Sequence, residues 1–109
     1  MNSNIKALII DDHVLVRTGI TYIIQELEVD IQSYMASTCN EALDLIGSGL
    51  SLDLVLLDLH LPDSSGLEAL KKILGMTADT PVVVISSEAT TETIKSALEL
   101  GAKGYIPKD

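Results

Sequence analysis

The sequence contains no tryptophan or phenylalanine and has three tyrosines. The core must therefore rest on leucine, isoleucine, valine and alanine, a composition that suits buried parallel strands. The single cysteine, Cys39, excludes an internal disulfide. No apolar run approaches the ~20 residues that a membrane-spanning helix needs, and no secretory signal precedes Ile5. We therefore expect a soluble, cytoplasmic domain with no membrane partner.

Positive charge is also scarce. Seven basic residues stand against sixteen acidic ones, which gives a formal net charge of −9. This balance argues against direct binding to nucleic acid or to an anionic membrane, because both attract basic surfaces. A partner with a basic surface, or a bound divalent cation, fits the charge better.

The 109 residues alternate between short apolar runs and segments of helical periodicity. The length predicts one domain, and the 47% hydrophobic content is ample for its core. Apolar runs predict five strands, at residues 5–10, 31–35, 54–57, 82–85 and 103–106. Periodic segments predict four helices, at residues 14–27, 40–46, 67–74 and 90–100. This alternation predicts an α/β fold with a doubly wound parallel sheet.

Local signals support the helices. Apolar residues at spacings of three and four predict a core-facing stripe on the first helix, at Val16, Ile20, Ile23, Ile24 and Leu27. Gly47 or Gly49 is expected to close the second helix, and Gly101 the fourth. Residues 61–66, rich in turn formers, predict a surface loop.

Five polar residues stand at or just beyond the ends of apolar runs: Asp11, Asp12, Asp58, Ser86 and Lys108. Parallel α/β sheets place their ligand sites at the carboxyl ends of strands. We therefore expect these side chains to form one polar site, sized for a phosphoryl group and a metal ion.

The acidic residues allow more than one interpretation. Asp11 and Asp12 either cap the first helix or bind a hard divalent cation such as Mg²⁺, which relieves the repulsion between them. Two adjacent acids exceed what a cap needs, so the metal is favoured. Asp58 has no helix to cap, because the Leu59–Pro62 segment that follows does not start one. A carboxylate there suggests a cation ligand or a nucleophile that forms an aspartyl phosphate.

Ser86, Ser87 and Lys108 each have an ordinary explanation as well. The serines suit a turn or the N-cap of the following helix, and an isolated lysine is usually a surface residue. The strand order expected of this fold, however, brings both strand ends beside Asp58. A hydroxyl and an ammonium group would there bind phosphoryl oxygens.

The two histidines carry less information. His13 and His60 lack a cysteine, histidine or glutamate partner at ligand spacing. Zinc sites need such partners. We therefore interpret both as loop or helix-start residues.

Three strings of residues carry a family resemblance. They are Asp11-Asp12-His13 with Leu15-Val16-Arg17 and Gly19, then Asp58-Leu59-His60-Leu61-Pro62-Asp63 running to Gly66-Leu67-Glu68, and finally Gly101-Ala102-Lys103-Gly104-Tyr105-Ile106-Pro107-Lys108. Together and in this order the chain resembles the receiver domain of bacterial two-component response regulators, of the NarL/FixJ subfamily usually joined to a LuxR-type helix-turn-helix output domain. The resemblance covers nearly the whole chain and implies a flavodoxin-like five-stranded parallel sheet in the order 2-1-3-4-5.

The resemblance also implies a function. Such a domain takes a phosphoryl group from a sensor histidine kinase and controls an output domain, expected here to bind DNA and regulate transcription. Asp58 would be the phosphoacceptor. Mg²⁺ (or Mn²⁺) would be held by Asp12, Asp58 and the backbone carbonyl of His60, with Asp11 acting through a water. The domain would catalyse only its own phosphorylation and dephosphorylation.

Further roles follow from the same resemblance. Lys108, the Ser86 hydroxyl and the backbone N–H of Ser87 would bind the phosphoryl group. Displacement of Ser86 would open room for Tyr105 to turn inward. This step would be the conformational switch, a population shift driven by the new charge.

Two residues flank the route by which water would reach an acyl phosphate. They are His60 and Glu88, which stand two positions beyond the phosphoacceptor and the switch serine respectively. The resemblance implies that they tune the lifetime of the phosphorylated form.

A receiver domain has a fifth helix, which we do not find in residues 1–109. An uncovered sheet face would expose a larger apolar patch than a monomer usually tolerates. We therefore expect either that the chain is a receiver domain cut before this helix from a longer protein, or that a homodimer covers the face.

Two other functions remain open. Haloacid-dehalogenase-type phosphatases also use a strand-end aspartate and Mg²⁺, but carry a second aspartate where this chain has His60. A receiver-like module that never accepts phosphate would be expected to have lost part of the acid and lysine set, which this chain retains.

Overall fold

The computed structural model describes residues 5–26, 30–64, 66–77, 79–88 and 90–108. Within them, the strands are β1 (Ile5–Ile10), β2 (Ile31–Ala36), β3 (Leu54–Asp58), β4 (Val82–Ser86) and β5 (Gly104–Pro107). The helices are α1 (Val14–Glu26), α2 (Cys39–Gly47), α3 (Leu67–Met76) and α4 (Thr91–Leu100). The predicted elements are all present, although β5 begins at Gly104 and not at Lys103. None of the described helices has the length and apolar character needed to cross a membrane.

The strands form one parallel sheet in the order β2-β1-β3-β4-β5. This confirms the predicted α/β fold and its flavodoxin-like strand order. Neighbouring strands end nearly level with one another, since Ile10 pairs with Leu57 and Ser86 pairs with Pro107. The carboxyl ends of four strands therefore meet at a common edge.

One face of the sheet packs against α2, α3 and α4. Strand side chains alternate between the two faces, and those on this face are completely buried: Leu8, Ile10, Val55, Leu57, Val82 and Val84. The helices contribute Ala42, Ala69, Leu70, Ile73 and Ala97, which are also completely buried. Burying each large aliphatic side chain contributes about 1.5–3 kcal/mol. This face holds the main core and fixes the site above it.

The other face is covered less completely. Helix α1 lies there, and Ile9 beneath it is fully buried, but Ile106 of β5 is 51% exposed. The predicted stripe on α1 is wrong at Ile23, which is 61% exposed. Ile23 has the helical spacing of the stripe, yet no described element packs against that flank of α1. The predicted stripe residue Ile24 has an undescribed side chain, and Leu27 lies outside the described residues.

The helix ends follow local sequence signals. Thr90 caps α4, because its hydroxyl accepts the backbone N–H of Thr93 at 3.2 Å. The interpretation of Ser86 or Ser87 as that cap is therefore wrong. After α2 the chain turns at Gly49, whose φ is +89°, and after α4 it turns at Gly101, whose φ is +127°. Glycine adopts such angles without a Cβ clash.

Candidate functional site at the carboxyl edge of the sheet

The site begins where β1 and β3 end side by side. Because Ile10 and Leu57 are paired in register, Asp11 and Asp58 follow as neighbours at the same edge. Both carboxylates have no exposed surface, whereas the Asp12 side chain is 37% exposed. The parallel register thus brings two acidic side chains into the protein interior, where an unpaired charge is costly.

Lys108 supplies the positive charge of the cluster. Its Nζ lies 3.0 Å from Asp58 Oδ2 and 3.1 Å from Asp11 Oδ2, and the side chain is only 15% exposed. The backbone N–H of Lys108 donates to the Ser86 carbonyl at 2.9 Å, so the lysine is fixed by the pairing of β5 with β4. One ammonium group therefore serves two buried carboxylates, and the cluster retains an excess of negative charge.

The two oxygens of Asp58 have different partners. Oδ1 accepts the backbone N–H of His60 at 3.1 Å, and Oδ2 faces Lys108. The first contact ties the start of the following loop to the end of β3. The side chain of His60 is exposed.

His13 joins the acidic cluster, which the sequence did not predict. The residue lies before α1 as expected, and its backbone N–H donates to Asp11 Oδ1 at 2.7 Å. Its ring Nδ1 lies 2.9 Å from Asp11 Oδ1, 3.3 Å from Asp12 Oδ1 and 3.4 Å from Asp58 Oδ2. The available signal was its place directly after an acidic pair, which a search for histidine or cysteine partners overlooks.

Ser86 and Tyr105 lie at the other side of the site. Ser86 is completely buried, and its hydroxyl oxygen accepts the backbone N–H of Glu88 at 3.0 Å. The Tyr105 hydroxyl donates to the backbone carbonyl of Glu88. The side chains of Glu88 and Ser87 are exposed. The predicted switch residues are therefore linked through one short segment, after β4, and neither hydroxyl contacts the carboxylates.

The loop that follows Asp58 contains a turn in which Leu61 pairs with Ser64. The same loop is hydrogen-bonded to the start of α2. Asp63 accepts the backbone N–H groups of Cys39 (2.8 Å) and Asn40 (3.0 Å) at the start of α2. These bonds, the Asn40 contact first, lower the pKa of Asp63. Burial, followed by the nearby Asp63 charge, raises the pKa of the Cys39 thiol.

A cation fits the acidic cluster. Ligand atoms of Asp11, Asp12, His13 and Asp58 all lie within 4.8 Å of one another. Asp11 Oδ2 is buried and, among the described residues, has no hydrogen-bond partner, although the Lys108 ammonium is near it. Carboxylate oxygens are the ligands that Mg²⁺ prefers. Of the predicted site residues, the structure thus brings Asp11, Asp12, Asp58 and Lys108 into one cluster.

Comparison with known proteins agrees with this geometry. Residues 7–109 match the model of the response regulator receiver domain. The chain is 36% identical over 104 residues to the transcriptional regulatory protein YdfI of Bacillus subtilis, covering 95% of this chain and 48% of YdfI. It is 37% identical over 102 residues to the nitrate/nitrite response regulator NarL of Escherichia coli K12, covering 94% of this chain and 47% of NarL. The chain thus spans about half the length of these relatives.

A solved structure shares the fold. It is a response regulator from Burkholderia pseudomallei with a phosphorylated aspartic acid, a calcium ion and citrate. The TM-score is 0.81 at 25% identity, and the match covers 95% of this chain and 59% of that one. Together with the strand order and the acidic cluster, these matches show that the chain belongs to the receiver domain family of two-component response regulators, with relatives of the NarL type.

Proposed function

We propose that this receiver domain accepts a phosphoryl group on Asp58. The observation that carries the proposal is the Asp58 carboxylate itself, which is fully buried, ends β3 and has Oδ2 3.0 Å from the Lys108 ammonium. A carboxylate at this place is held for attack on phosphorus, and its neighbours are fixed by the strand register. The phosphorylated aspartic acid of the B. pseudomallei relative supports the assignment.

The chemistry is a transfer between two covalent carriers. A carboxylate oxygen of Asp58 forms a bond to phosphorus while the bond from phosphorus to a histidine nitrogen of a sensor kinase breaks. Negative charge spreads over the equatorial phosphoryl oxygens during the transfer. Lys108 neutralises part of that charge, and the Ser86 hydroxyl and the Ser87 N–H bind the product.

Receiver domains bind Mg²⁺ or Mn²⁺ at their acidic cluster. In this chain we assign the cation to Asp12, Asp58 and the backbone carbonyl of His60, with Asp11 acting through a water. The buried carboxylates of Asp11 and Asp58, which share the one ammonium group of Lys108, support the assignment. When bound, the cation supplies positive charge that relieves the repulsion among the carboxylates and stabilises the phosphoryl oxygens.

Phosphorylation would then shift the domain between two packings. The Ser86 hydroxyl exchanges its bond to the Glu88 N–H for one to the phosphoryl group, and its displacement opens room for Tyr105 to turn inward. To change the ratio of the two packings from 1:99 to 99:1, the phosphoryl group must interact more favourably with the second packing by ~5.5 kcal/mol. A charge-assisted hydrogen bond and the Lys108 ion pair supply part of it.

His60 and Glu88 border the site and would tune the lifetime of the acyl phosphate.

The partners follow from the same assignment. We infer that this domain is cytoplasmic, that its phosphoryl donor is a sensor histidine kinase, and that the full-length protein carries a C-terminal DNA-binding output domain that regulates transcription. The twofold greater length of YdfI and NarL supports a second domain. A homodimer is a further expectation, and the net charge of −9 argues against DNA contact by this segment.

Intact-mass analysis after incubation with acetyl phosphate tests the proposal. We expect one alkali-labile phosphoryl adduct that depends on Mg²⁺, that is missing from Asp58→Ala, and that persists in Asp44→Ala, the matched change of an exposed aspartate on α2. No adduct on a folded chain would contradict the proposal and favour a receiver-like module that works without phosphate. Turnover of phosphate monoesters, with release of inorganic phosphate and no detectable adduct from acetyl phosphate, would favour a phosphatase instead.

A further inference from the structure

His13 places a nitrogen atom among three carboxylates. Its Nδ1 lies 2.9, 3.3 and 3.4 Å from oxygens of Asp11, Asp12 and Asp58. Two ligands at a right angle about an ion, each about 2.1 Å from it, are about 3.0 Å apart. At a tetrahedral angle the same ligands are about 3.4 Å apart. The imidazole nitrogen is therefore spaced from the carboxylates as a ligand of the same cation would be.

A second observation points to a cation at this place. The Asp11 side chain is completely buried, and its Oδ2 faces the Lys108 ammonium at 3.1 Å, a group that it shares with Asp58 Oδ2 at 3.0 Å. Three carboxylates surround the His13 nitrogen, whereas the one lysine of the cluster, Lys108, lies 3.0 Å from that nitrogen. The cluster thus retains acceptor capacity and negative charge that a divalent ion would use.

The backbone of His13 is held by a hydrogen bond, whereas its ring is partly exposed to solvent. Its backbone N–H is fixed to Asp11 Oδ1 at 2.7 Å, which holds the residue beside the cluster. The side chain is 54% exposed, so the rest of the ring faces solvent. The ring can therefore take a metal ion at Nδ1 without disturbing the core.

We propose that His13 is a ligand of the divalent cation in this chain, and that it makes the site favour borderline transition-metal ions such as Co²⁺, Ni²⁺ and Zn²⁺ over Mg²⁺. Imidazole suits these ions, whereas carboxylates and water suit Mg²⁺. The inference rests on the proposed function, because it concerns the same cation site, and it adds a nitrogen ligand to an acidic set.

Calorimetric titration with Co²⁺ and with Mg²⁺ tests this assignment. We expect wild type to bind Co²⁺ more tightly than Mg²⁺, and His13→Ala to bind Co²⁺ at least about tenfold more weakly with Mg²⁺ affinity little changed. His13→Asn, with an oxygen in place of Nδ1, should not restore Co²⁺ affinity. Thr18→Ala, an exposed position on α1, is the control and should match wild type. Equal Co²⁺ affinity in wild type and His13→Ala would overturn the proposal.

Nitrogen NMR with Zn²⁺ gives a readout that does not depend on affinity. The chain has two histidines, so the spectrum of His13→Ala identifies the His13 signals, and the Nδ1 resonance of His13 should move when Zn²⁺ binds to wild type. An unmoved His13 resonance at saturating Zn²⁺ would refute its role as a ligand.

The acetyl phosphate assay separates the two proposals. An Mg²⁺-dependent adduct on Asp58, together with equal Co²⁺ binding by wild type and His13→Ala, would refute the ligand and leave the phosphoacceptor standing. Tight Co²⁺ binding that depends on His13, with no phosphoryl adduct in the presence of any metal ion tested, would refute the phosphoacceptor and leave the ligand standing.

Discussion

In one half of the site, formed by Asp11, Asp58 and Lys108, buried charged groups contact one another at 3.0–3.1 Å. In the other half, formed by Ser86 and Tyr105, the hydroxyl groups bond to the backbone of Glu88 and not to the carboxylates. We call these the acid half and the switch half. In the acid half, one buried ammonium group offsets the charge of two buried carboxylates. In the switch half, neutral hydrogen bonds each contribute about 1 kcal/mol to stability. Phosphoryl transfer therefore requires the acid half to be in place before the reaction. The switch half can rearrange at a lower cost in free energy.

The largest expected effect is that of Lys108→Ala. The change leaves two buried carboxylates without their ammonium partner, and breaking a buried pair costs several kcal/mol, so we expect the free energy of unfolding to fall by about 3 kcal/mol. Millimolar Mg²⁺ should restore part of the loss. Urea unfolding with and without Mg²⁺ measures both. Lys103→Ala removes an exposed lysine just before β5 and is the matched control, so equal stability of the two variants would contradict a charge-dependent acid half.

Ser86→Ala should separate the two halves. Phosphorylation by acetyl phosphate is expected to stay near the wild-type level, because the Ser86 hydroxyl makes no contact with Asp58. The conformational response should weaken, and stability should fall by about 1 kcal/mol because the Glu88 N–H loses its acceptor. Mass analysis and amide hydrogen exchange over residues 87–106, before and after phosphorylation, measure the two effects. An unchanged exchange response would remove Ser86 from the switch.

Tyr105→Phe tests the same half with a smaller change. It removes the hydroxyl that donates to the Glu88 carbonyl and keeps the ring. We expect a loss of up to about 1 kcal/mol in urea unfolding and faster amide exchange in the segment after β4. Tyr22→Phe removes a hydroxyl from an exposed ring, 66% exposed on α1, and should leave both quantities unchanged. If Tyr105→Phe behaves like this control, the hydroxyl does not hold the segment.

The smallest expected effect is a pH dependence at Asp63. Backbone N–H bonds at the start of α2 lower its pKa from the ordinary 3.8, so its contribution to stability is present above the unfolded-state pKa. The contribution is lost as the pH falls through the folded-state value. The stability difference between wild type and Asp63→Asn should therefore shrink from about pH 5 to about pH 3. Asp44→Asn, at an exposed position on α2, should show no such trend. A constant difference for Asp63→Asn would contradict the stabilising effect of the two N–H bonds to Asp63.

The fold could be predicted almost completely from the sequence because its signals are local. Runs such as Val82–Ile85 can be buried only in a covered sheet, and their alternation with helical segments leaves little choice of topology. The error at Ile23 arose because periodicity defines a face of a helix but not which neighbour covers it. Whether a neighbouring element exists is a property of the assembled structure.

The candidate site was predictable in part. Asp58, Asp11 and Lys108 follow strands, and parallel register brings such residues together. The approach of His13 to Asp58 was not predictable from ligand spacing, because Asp11 and Asp58 are 47 residues apart and meet only through the pairing of β1 with β3. Likewise, the bonds of Ser86 and Tyr105 to the backbone of one residue depend on the path of the chain after β4. Nearly every residue offers a backbone donor and acceptor, so the side-chain pattern does not show which of them these hydroxyl groups bind.

All the proposed site residues lie at the carboxyl edge of the sheet, so the opposite edge is free for engineering. The connection before β3 runs through exposed Ser51, on the side of the sheet away from the carboxylates. The native cysteine, Cys39, is buried and has a raised pKa, which makes it a slow target for alkylation. Ser51→Cys would thus offer a preferred attachment point for a fluorophore or a surface tether, with the face that meets the phosphoryl donor left clear.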